Sequence, residues 1–104
     1  MKNYMNRDVV TAIDGVVTDT TSSGYQFHEY DYLEMHVKSD VATAWTGTVQ
    51  VQGSIDGTNY ENSGSVITNT AGIYIVDPTP EWVKIVSTRT AGTLTVKLRP
   101  VVTQ

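Results

Sequence analysis

The chain has 104 residues, a formal net charge of −4 and a pI of about 4.8. This length fits one domain with one core, and the absence of Cys excludes disulfides, thiolate zinc sites and Cys nucleophiles. Lys and Arg together number seven and form no cluster, so we expect no nucleic acid and no membrane partner, which both require concentrated positive charge.

The N-terminal residues predict an extended arm over residues 1–7, which is polar apart from Tyr4 and Met5. This segment lacks the uninterrupted apolar stretch of a signal peptide. No stretch of the chain approaches the roughly 20 apolar residues that a membrane helix needs. We therefore expect a soluble protein that is made in a cytoplasm.

Val and Ile recur through residues 8–19 and favour two short strands, with a turn or bulge at Gly15. Residues 20–24 are small and polar and predict a loop. A half-buried strand follows at residues 32–38, where apolar and polar side chains alternate with a period of two. Residues 39–44 predict a second loop.

The clearest strand and turn lie in the middle of the chain. Residues 48–52 alternate between Val and polar side chains, and Asp56-Gly57 follows them. An Asp-Gly pair after such a run predicts a tight hairpin with a type I′ turn, in which both central residues have positive φ. We therefore interpret Asp56 and Gly57 as structural residues. Residues 65–69 predict a short edge strand.

The C-terminal third predicts three further strands, at residues 72–76, 81–88 and 93–99. Prolines end the first of them, and an Ala-Gly turn separates the other two. The whole pattern gives about seven or eight short strands and no helix. It is typical of an all-β fold, a single antiparallel β-sandwich of jelly-roll or immunoglobulin-like type over residues 1–104.

The alternating positions also predict a core of aliphatic side chains. At roughly 1.5–3 kcal/mol for each fully buried side chain, such a set suffices for a core of this size. The predicted inward residues are Leu33, Met35, Val37, Val49, Val51, Ile73, Ile75, Val83, Ile85, Leu94, Val96 and Leu98.

The sequence contains no recognisable catalytic constellation. His28 and His36 are the only histidines, and His36 lies on the polar face of its strand. The aspartates are spread through loops and turns, where Asp hydrogen-bonds to its own backbone, and none has the spacing of a calcium loop. A fold that gathers loop carboxylates around calcium, or pairs them as in a glycosidase, stays open. We expect no enzyme, no cofactor and no metal.

Aromatic side chains are dense around residues 25–32, and Trp82 has the opposite parity to the core positions of its strand. Two interpretations apply to them. A sandwich can bury such rings under its loops. Alternatively, they form a contact surface, since Tyr and Trp bring a large rigid area at low entropic cost. That surface would suit another protein or a sugar ring.

Residues 46–100 contain a fixed order of short elements: an alternating strand, GSIDGTNY, GIY, an acidic and proline turn, a WVKI strand, a Gly-Thr turn and a last alternating strand. This order resembles a sandwich module of small structural proteins of tailed bacteriophages. The matching residues are Gly53, Ser54, Ile55, Asp56, Gly57, Thr58, Asn59, Tyr60, Gly72, Ile73, Tyr74, Trp82, Val83, Lys84, Ile85, Gly92, Thr93 and Val96. The family has no shared catalytic set, so the resemblance implies no active-site residue.

The resemblance implies a virion structural protein. Our first hypothesis is a capsid decoration (cement) protein on the capsid exterior, which binds the outer shell and stabilises it. Its partners would be the major capsid protein and copies of itself, for instance in a trimer. The contact candidates are Tyr4, Met5, Tyr25, Phe27, Tyr30, Tyr32 and Trp45.

Two alternatives accompany this hypothesis. The first is a carbohydrate- or receptor-binding module of a phage head or tail fibre. There Trp45, Trp82 and Tyr74 would stack on sugar rings, and Gln50 and Gln52 would hydrogen-bond to hydroxyls. The second is a minor tail or neck protein of the same fold, which the number of copies per particle would distinguish from a decoration protein.

Overall fold

The computed structural model describes residues 9–27, 30–39, 44–77 and 80–101, which form ten β-strands and no helix. The predicted arm with Tyr4 and Met5, and also His28, lie outside the described residues. The strands are β1 (Val10–Val16), β2 (Thr20–Thr21), β3 (Tyr25–Gln26), β4 (Tyr32–Ser39), β5 (Thr46–Ser54), β6 (Glu61–Asn62), β7 (Ile67–Thr68), β8 (Gly72–Val76), β9 (Trp82–Ala91) and β10 (Leu94–Val101).

The strands form two antiparallel sheets that pack as a sandwich, which confirms the predicted fold class. The first sheet has the order β1-β10-β4-β8. In the second sheet β9 and β5 are central, β2 and β3 pair with β9, and β6 and β7 pair with β5. Each sheet thus has four strand positions, and two positions of the second sheet are split into short pieces. This splitting explains why ten strands occur where about seven or eight were predicted.

The path of the chain identifies the sandwich as a jelly roll. The chain crosses between the sheets after β1, β3, β4, β7, β8 and β9, so consecutive strand positions lie mostly in opposite sheets. Both sheets place strands from the two halves of the chain next to each other, as in β10 between β1 and β4. This is the double Greek-key arrangement of a jelly roll. The immunoglobulin-like alternative is therefore not the one that the chain adopts.

The core lies between the two sheets and follows the predicted alternation in four long strands. In β4, β5, β9 and β10, polar and apolar residues alternate along the strand. The polar residues lie on the outer face, so the apolar residues between them face the core. Every predicted core position is buried except Ile73 and Ile75. The buried apolar residues are Ile13, Phe27, Leu33, Met35, Val37, Trp45, Val49, Val51, Val76, Val83, Ile85, Leu94, Val96 and Leu98.

The predicted inward orientation of Ile73 and Ile75 is wrong. Both side chains are exposed, at 68% and 57% of their surface. In the β4–β8 ladder Tyr74 lies opposite Met35, and Ile73 lies opposite His36. Directly opposite residues share a face of an antiparallel pair, so Tyr74 faces the core side and the two isoleucines face outward.

The segment around Gly15 forms one strand and not two. β1 pairs with β10 along its length, with register shifts on both sides of Ile13. Gly15 has φ of 61°, and its N–H donates to Thr95 Oγ1 at 3.0 Å. The glycine therefore provides the predicted bulge, and the strand continues through it.

Candidate contact surfaces

One end of the sandwich collects most of the partly exposed aromatic side chains. β4 begins there with Tyr32 opposite Val101, and β9 begins there with Trp82 opposite Ser54. β3 of the second sheet ends at this end and β4 of the first sheet begins there. The ring centroids of Phe27 and Tyr30 are 6.3 Å apart. We call this surface the aromatic end. It consists of Tyr25, Tyr30, Tyr32, Tyr60 and Trp82, all of them half-buried.

Two of the predicted contact residues belong to the core. Phe27 is 7% exposed and Trp45 is 2% exposed. The N–H of Phe27 donates to the carbonyl of Glu81, which draws this segment against the start of β9. The N–H of Trp45 donates to Ser39 Oγ, and its indole nitrogen is buried with no hydrogen-bond partner among the described residues. Neither ring is available to a partner in this fold, so the sequence-based assignment of these two residues is corrected.

The three remaining described candidates lie together at the aromatic end. Tyr25 and Tyr30 pack against the core and keep part of their surface exposed, and Tyr32 is half-buried at the first position of β4. Their role as contact residues stays a prediction. Burial of one side of each ring fixes its orientation, which lowers the entropy that a partner would have to remove.

The connection between β5 and β6 at the aromatic end is wider than the predicted two-residue turn. The ladder between β5 and β6 ends with Gly53 opposite Glu61, and β5 ends at Ser54, so residues 55–60 form the loop. Gly57 has a positive φ of 77°, whereas no positive φ occurs at Asp56. The type I′ assignment is therefore wrong. The glycine has the predicted role, and the aspartate acts through its side chain.

Ser54 and Asp56 hold this loop in one conformation. Ser54 Oγ donates to Asp56 Oδ1 at 2.8 Å and accepts the N–H groups of Asp56 and Gly57. Asp56 Oδ1 also accepts the N–H groups of Thr58 and Asn59, at 2.8 and 2.9 Å. An Asp that bonds to the backbone two and three residues ahead is a common way to order a turn.

The same contacts act on the charge of Asp56. The backbone N–H groups of Asn59 and Thr58, then the Ser54 hydroxyl and the Asn59 amide, hold the pKa of the Asp56 carboxyl well below its usual range. All of these donors stabilise the ionised form, because a carboxylate accepts hydrogen bonds more strongly than the protonated acid does. The loop is therefore ordered by an ionised carboxylate at neutral pH.

This ordered loop displays one apolar side chain to solvent. Ile55, between the two residues that fix the loop, is 89% exposed. Gly57 of the same loop lies against Trp82, since a Cβ built on it would be 2.9 Å from a ring atom of that side chain. Lys84 Nζ lies 4.4 Å from the centroid of the Tyr60 ring. Ile55 is not among the predicted contact residues, although a single Ile within the polar run GSIDGTNY was the available signal.

The residues of the carbohydrate-binding alternative do not come together on one open face. Trp45 is buried, and the Tyr74 hydroxyl donates to the Thr70 carbonyl at 2.8 Å. The side-chain amide of Gln50 donates to the Val51 carbonyl. That of Gln52 donates to Asn62 Oδ1. The groups proposed for sugar hydroxyls are thus engaged within the chain. Trp82, Gln50 and Gln52 share the outer face of the second sheet, whereas Trp45 is in the core and Tyr74 is in the first sheet.

A second apolar surface lies on the outer face of the first sheet, at the edge strand β8. Ile73 and Ile75 project from it beside the polar residues of β4. A groove of about 320 Å³ runs across this face from Val9 to Ile73, past His36 and Arg99. His36 lies on the outer face, as the alternation predicted. Arg99 pairs with Glu34 there, with Nε donating to Oε1 at 2.7 Å.

A wider cleft opens at the side of the sandwich, between β8 and residues 63–68. Its volume is about 600 Å³, and Met35 and Val51 form part of its lining. Within the described ranges, no group of three or more acidic or His side chains could hold a metal ion. The described part of the chain also contains no helix that is long and apolar enough to cross a membrane.

Comparisons with known proteins agree with this architecture. No family model matches the chain, and neither does any curated protein. The crystal structure of the SPBc2 prophage-derived protein YomS is similar, with a TM-score of 0.74 and 11% sequence identity. The match covers 91% of this chain and 92% of that one. At this identity the likeness shows a shared fold, an all-β sandwich over almost the whole of both chains.

Proposed function

We propose that the protein is a structural protein of a bacteriophage virion, and specifically a capsid decoration protein that binds the outer shell and stabilises it. The observation that carries this proposal is the fold shared with a prophage-derived protein over nine-tenths of both chains. The order of the elements in residues 46–100, which resembles modules of phage structural proteins, supports the same conclusion.

The aromatic end and the adjoining loop with Ile55, which is 89% exposed, form the contact surface in this proposal. Half-buried Tyr and Trp side chains are the residue types that most often dominate protein interfaces. The hydrogen bonds of Ser54 and Asp56 order the loop in the free protein, so binding need not order it again. β1 begins near the same end, because Val10 lies opposite Leu98 close to the end of β10.

The net charge indicates which side of the shell the protein would bind, and the exposed area of Ile55 indicates how much this residue would add to the affinity. A net charge of −4 suits the outside of a shell better than a surface that faces packaged DNA. Complete burial of a side chain such as Ile55 stabilises a complex by about 1.5–3 kcal/mol. This corresponds to a change in Kd of about tenfold to a hundredfold, so the loss of one side chain is measurable.

The test adds purified protein to undecorated capsids and measures the bound copies against the free concentration. We expect saturable binding with copies spread over the shell, and a Kd at least tenfold higher for Ile55→Lys. Val17→Lys is the matched control, because Val17 is 54% exposed in the loop between β1 and β2, at the other end of the sandwich. The control is expected to bind like the wild type.

Two results would contradict the proposal. The absence of saturable binding by the wild-type protein would remove the decoration role. A single ring of copies at one vertex, in place of copies over the whole shell, would favour the neck-protein alternative. If instead the wild type binds and Ile55→Lys binds equally well, the decoration role stands and the aromatic end is not the contact surface.

A further inference from the structure

The chain contains two Asp-Gly pairs, Asp14-Gly15 and Asp56-Gly57. In such a pair an aspartate isomerises without an enzyme more easily than before other residues, because glycine has no side chain to shield its amide nitrogen. Asp14 and Asp56 are both exposed, and both glycines have a positive φ, of 61° and 77°. The two pairs are thus alike in sequence and exposure, and only their hydrogen bonds and packing distinguish them.

The reaction joins the side chain of the aspartate to the backbone of the glycine. The glycine nitrogen attacks Cγ of the protonated carboxyl, the N–H proton and the carboxyl hydroxyl leave as water, and a succinimide ring forms. Water then opens the ring. Cleavage of the nitrogen–Cγ bond restores aspartate, whereas cleavage of the bond between nitrogen and the main-chain carbonyl carbon gives isoaspartate, in which the chain runs through Cβ and Cγ. Water is the only other reactant.

At Asp56 both reacting groups are held in other contacts. Oδ1 of Asp56 accepts the N–H groups of Thr58 and Asn59. It also accepts the Ser54 hydroxyl, and Oδ2 accepts the Asn59 side-chain amide at 3.0 Å. The Gly57 N–H donates to Ser54 Oγ at 2.9 Å. To react, the carboxyl must take up a proton and turn towards the nitrogen, and both changes break hydrogen bonds that are strong because the carboxylate is charged.

The charge and the packing at this site act in the same direction. The same donors hold the pKa of the Asp56 carboxyl well below its usual range, so the protonated, reactive form is rarer than for an ordinary carboxyl. The Trp82 ring lies against Gly57, at 2.9 Å from a Cβ built there. The succinimide would have to form beside this ring.

Asp14 lies in a more open place. Among the described residues its carboxylate has neither a hydrogen bond nor an ion pair. The ladder between β1 and β10 shifts its register between Ile13 and Val16, and Asp14 and Gly15 have no paired residue in it. The Gly15 N–H donates to a single exposed side-chain group, Thr95 Oγ1. The atom nearest to a Cβ built on Gly15 is 4.0 Å away, so there is room for the ring.

We propose that Asp14 is a site of spontaneous isoaspartate formation in the folded protein, and that the hydrogen bonds of Ser54 protect Asp56 from the same reaction. The modification adds a methylene to the backbone of β1, the edge strand of the first sheet. It does so next to Ile13, which is 2% exposed, and so acts on a strand that covers the core. The proposal does not depend on capsid binding.

Peptide mapping measures both rates in one sample. Trypsin cleaves after Lys and Arg, so Asp14 falls in the peptide of residues 8–38 and Asp56 in that of residues 39–84, with one Asp-Gly pair in each. The folded protein is incubated at physiological temperature and neutral pH, and electron-transfer fragmentation locates isoaspartate in each peptide. We expect it at Asp14, with a rate at Asp56 that is at least about tenfold lower.

The two isolated tryptic peptides provide the unfolded reference. Without the fold, both Asp-Gly pairs are expected to react at rates within about threefold of each other. Asp14→Glu keeps the charge but would require a larger ring, so it should remove the signal from residues 8–38 of the folded protein. Deamidation of an asparagine changes the mass of a peptide, whereas isomerisation of aspartate does not, so the two reactions are distinguished.

Ser54→Ala separates local protection from global stability. It removes the acceptor of the Gly57 N–H and one donor to Asp56, so we expect the rate at Asp56 to rise at least about threefold. Asp14 in the same variant is the internal control and should react at the wild-type rate, because global unfolding would raise both rates.

Three results would overturn the proposal. The first is an equal or faster reaction at Asp56 in the folded wild type. The second is a folded protein that forms no isoaspartate at Asp14 over a period in which the isolated peptide does. The third is an unchanged rate at Asp56 in Ser54→Ala, which would remove the protective role of Ser54.

Discussion

The Ser54 hydroxyl and the Asp56 carboxylate are hydrogen-bonded to each other at 2.8 Å, and together they accept four backbone N–H groups of residues 56–59. The side chain between them, Ile55, is 89% exposed. One polar pair thus orders a loop whose only aliphatic side chain faces solvent. This relationship links the stability of the loop to its proposed role as a contact surface.

Ser54→Ala should destabilise the fold. Ser54 is 5% exposed, and its loss leaves the N–H groups of Asp56 and Gly57 without their acceptor. We expect a decrease in the free energy of unfolding of about 1–3 kcal/mol, measured by urea titration. Ser65→Ala is the control, because Ser65 is exposed, and should change stability by less than about 0.5 kcal/mol. Equal effects at both positions would show that the loop network contributes nothing to stability.

The contribution of Asp56 should depend on pH. The pKa of its carboxyl is lowered in the folded state, so the ionised form stabilises the fold. This stabilisation is fully present above the unfolded-state pKa of about 3.9 and is lost as the pH falls towards the folded-state pKa. We expect wild type to be more stable than Asp56→Asn at pH 7, and the difference to shrink steadily below about pH 4.

Urea titrations of both proteins between neutral pH and about pH 2.5 measure that difference. The comparison cancels the other carboxylates, which the two proteins share. A stability difference that stays constant over this range would mean that the carboxylate has an ordinary pKa in the folded protein. In that case the loop is ordered by the planar shape of the side chain, which Asp and Asn share, and the negative charge makes no pH-dependent contribution.

Two isoleucine-to-alanine variants test the orientation of β8. Ile13 is 2% exposed, whereas Ile75 is 57% exposed although the sequence pattern placed it in the core. We expect Ile13→Ala to lower the free energy of unfolding by about 2–5 kcal/mol, as for other buried aliphatic residues. Ile75→Ala should lower it by less than about 1 kcal/mol. Urea titration of both variants measures these losses. Similar losses at both positions would place Ile75 inside.

The sequence predicted the strands whose two faces differ in polarity. In β4, for example, Glu34 and His36 mark the outer face, so the residues that alternate with them are predicted to lie in the core. β8 has no such marker, since all five of its residues are apolar or Gly. Its orientation is decided by the register with β4, a contact between residues about forty positions apart. Local alternation contains no information about that register.

The placement of the predicted contact residues was predictable only in part, for a related reason. Tyr25, Tyr30 and Tyr32 do lie together at one end of the molecule, where β3 of the second sheet is followed by β4 of the first, and their contact role stays a prediction. Phe27 and Trp45 are nevertheless buried, and composition does not distinguish a ring under a loop from a ring in solvent. Ile55 was missed because its exposure depends on the Ser54–Asp56 hydrogen bond, which only the folded loop shows.

Gly47 and Gly64 both have a positive φ, but only Gly47 lies close to other atoms, so substitutions at the two positions test the packing of β5 against β9. Gly47, at the bulged start of β5, has φ of 150°, and a Cβ there would lie 2.0 Å from the Thr88 carbonyl oxygen. Asn69 also fixes the backbone of Gly47, because its side-chain Oδ1 accepts the Gly47 N–H at 2.7 Å. The atoms nearest to this Cβ position belong to the backbone of Thr88 and Arg89 in β9, and they cannot move away as a flexible side-chain end could. Gly64 also has a positive φ, of 78°, but nothing lies within 4 Å of its Cβ position.

Gly64→Ala should therefore cost only the backbone strain of a left-handed residue, about 1–2 kcal/mol. Gly47→Ala adds a clash with the backbone of β9 to a similar strain, and we expect a loss of more than about 3 kcal/mol or failure to fold. Urea titration of both variants measures the difference, and solubility on expression gives a second readout for Gly47→Ala. If Gly47→Ala were as stable as Gly64→Ala, β5 and β9 would not approach each other at this bulge, and the close packing of the second sheet's two central strands would be wrong there.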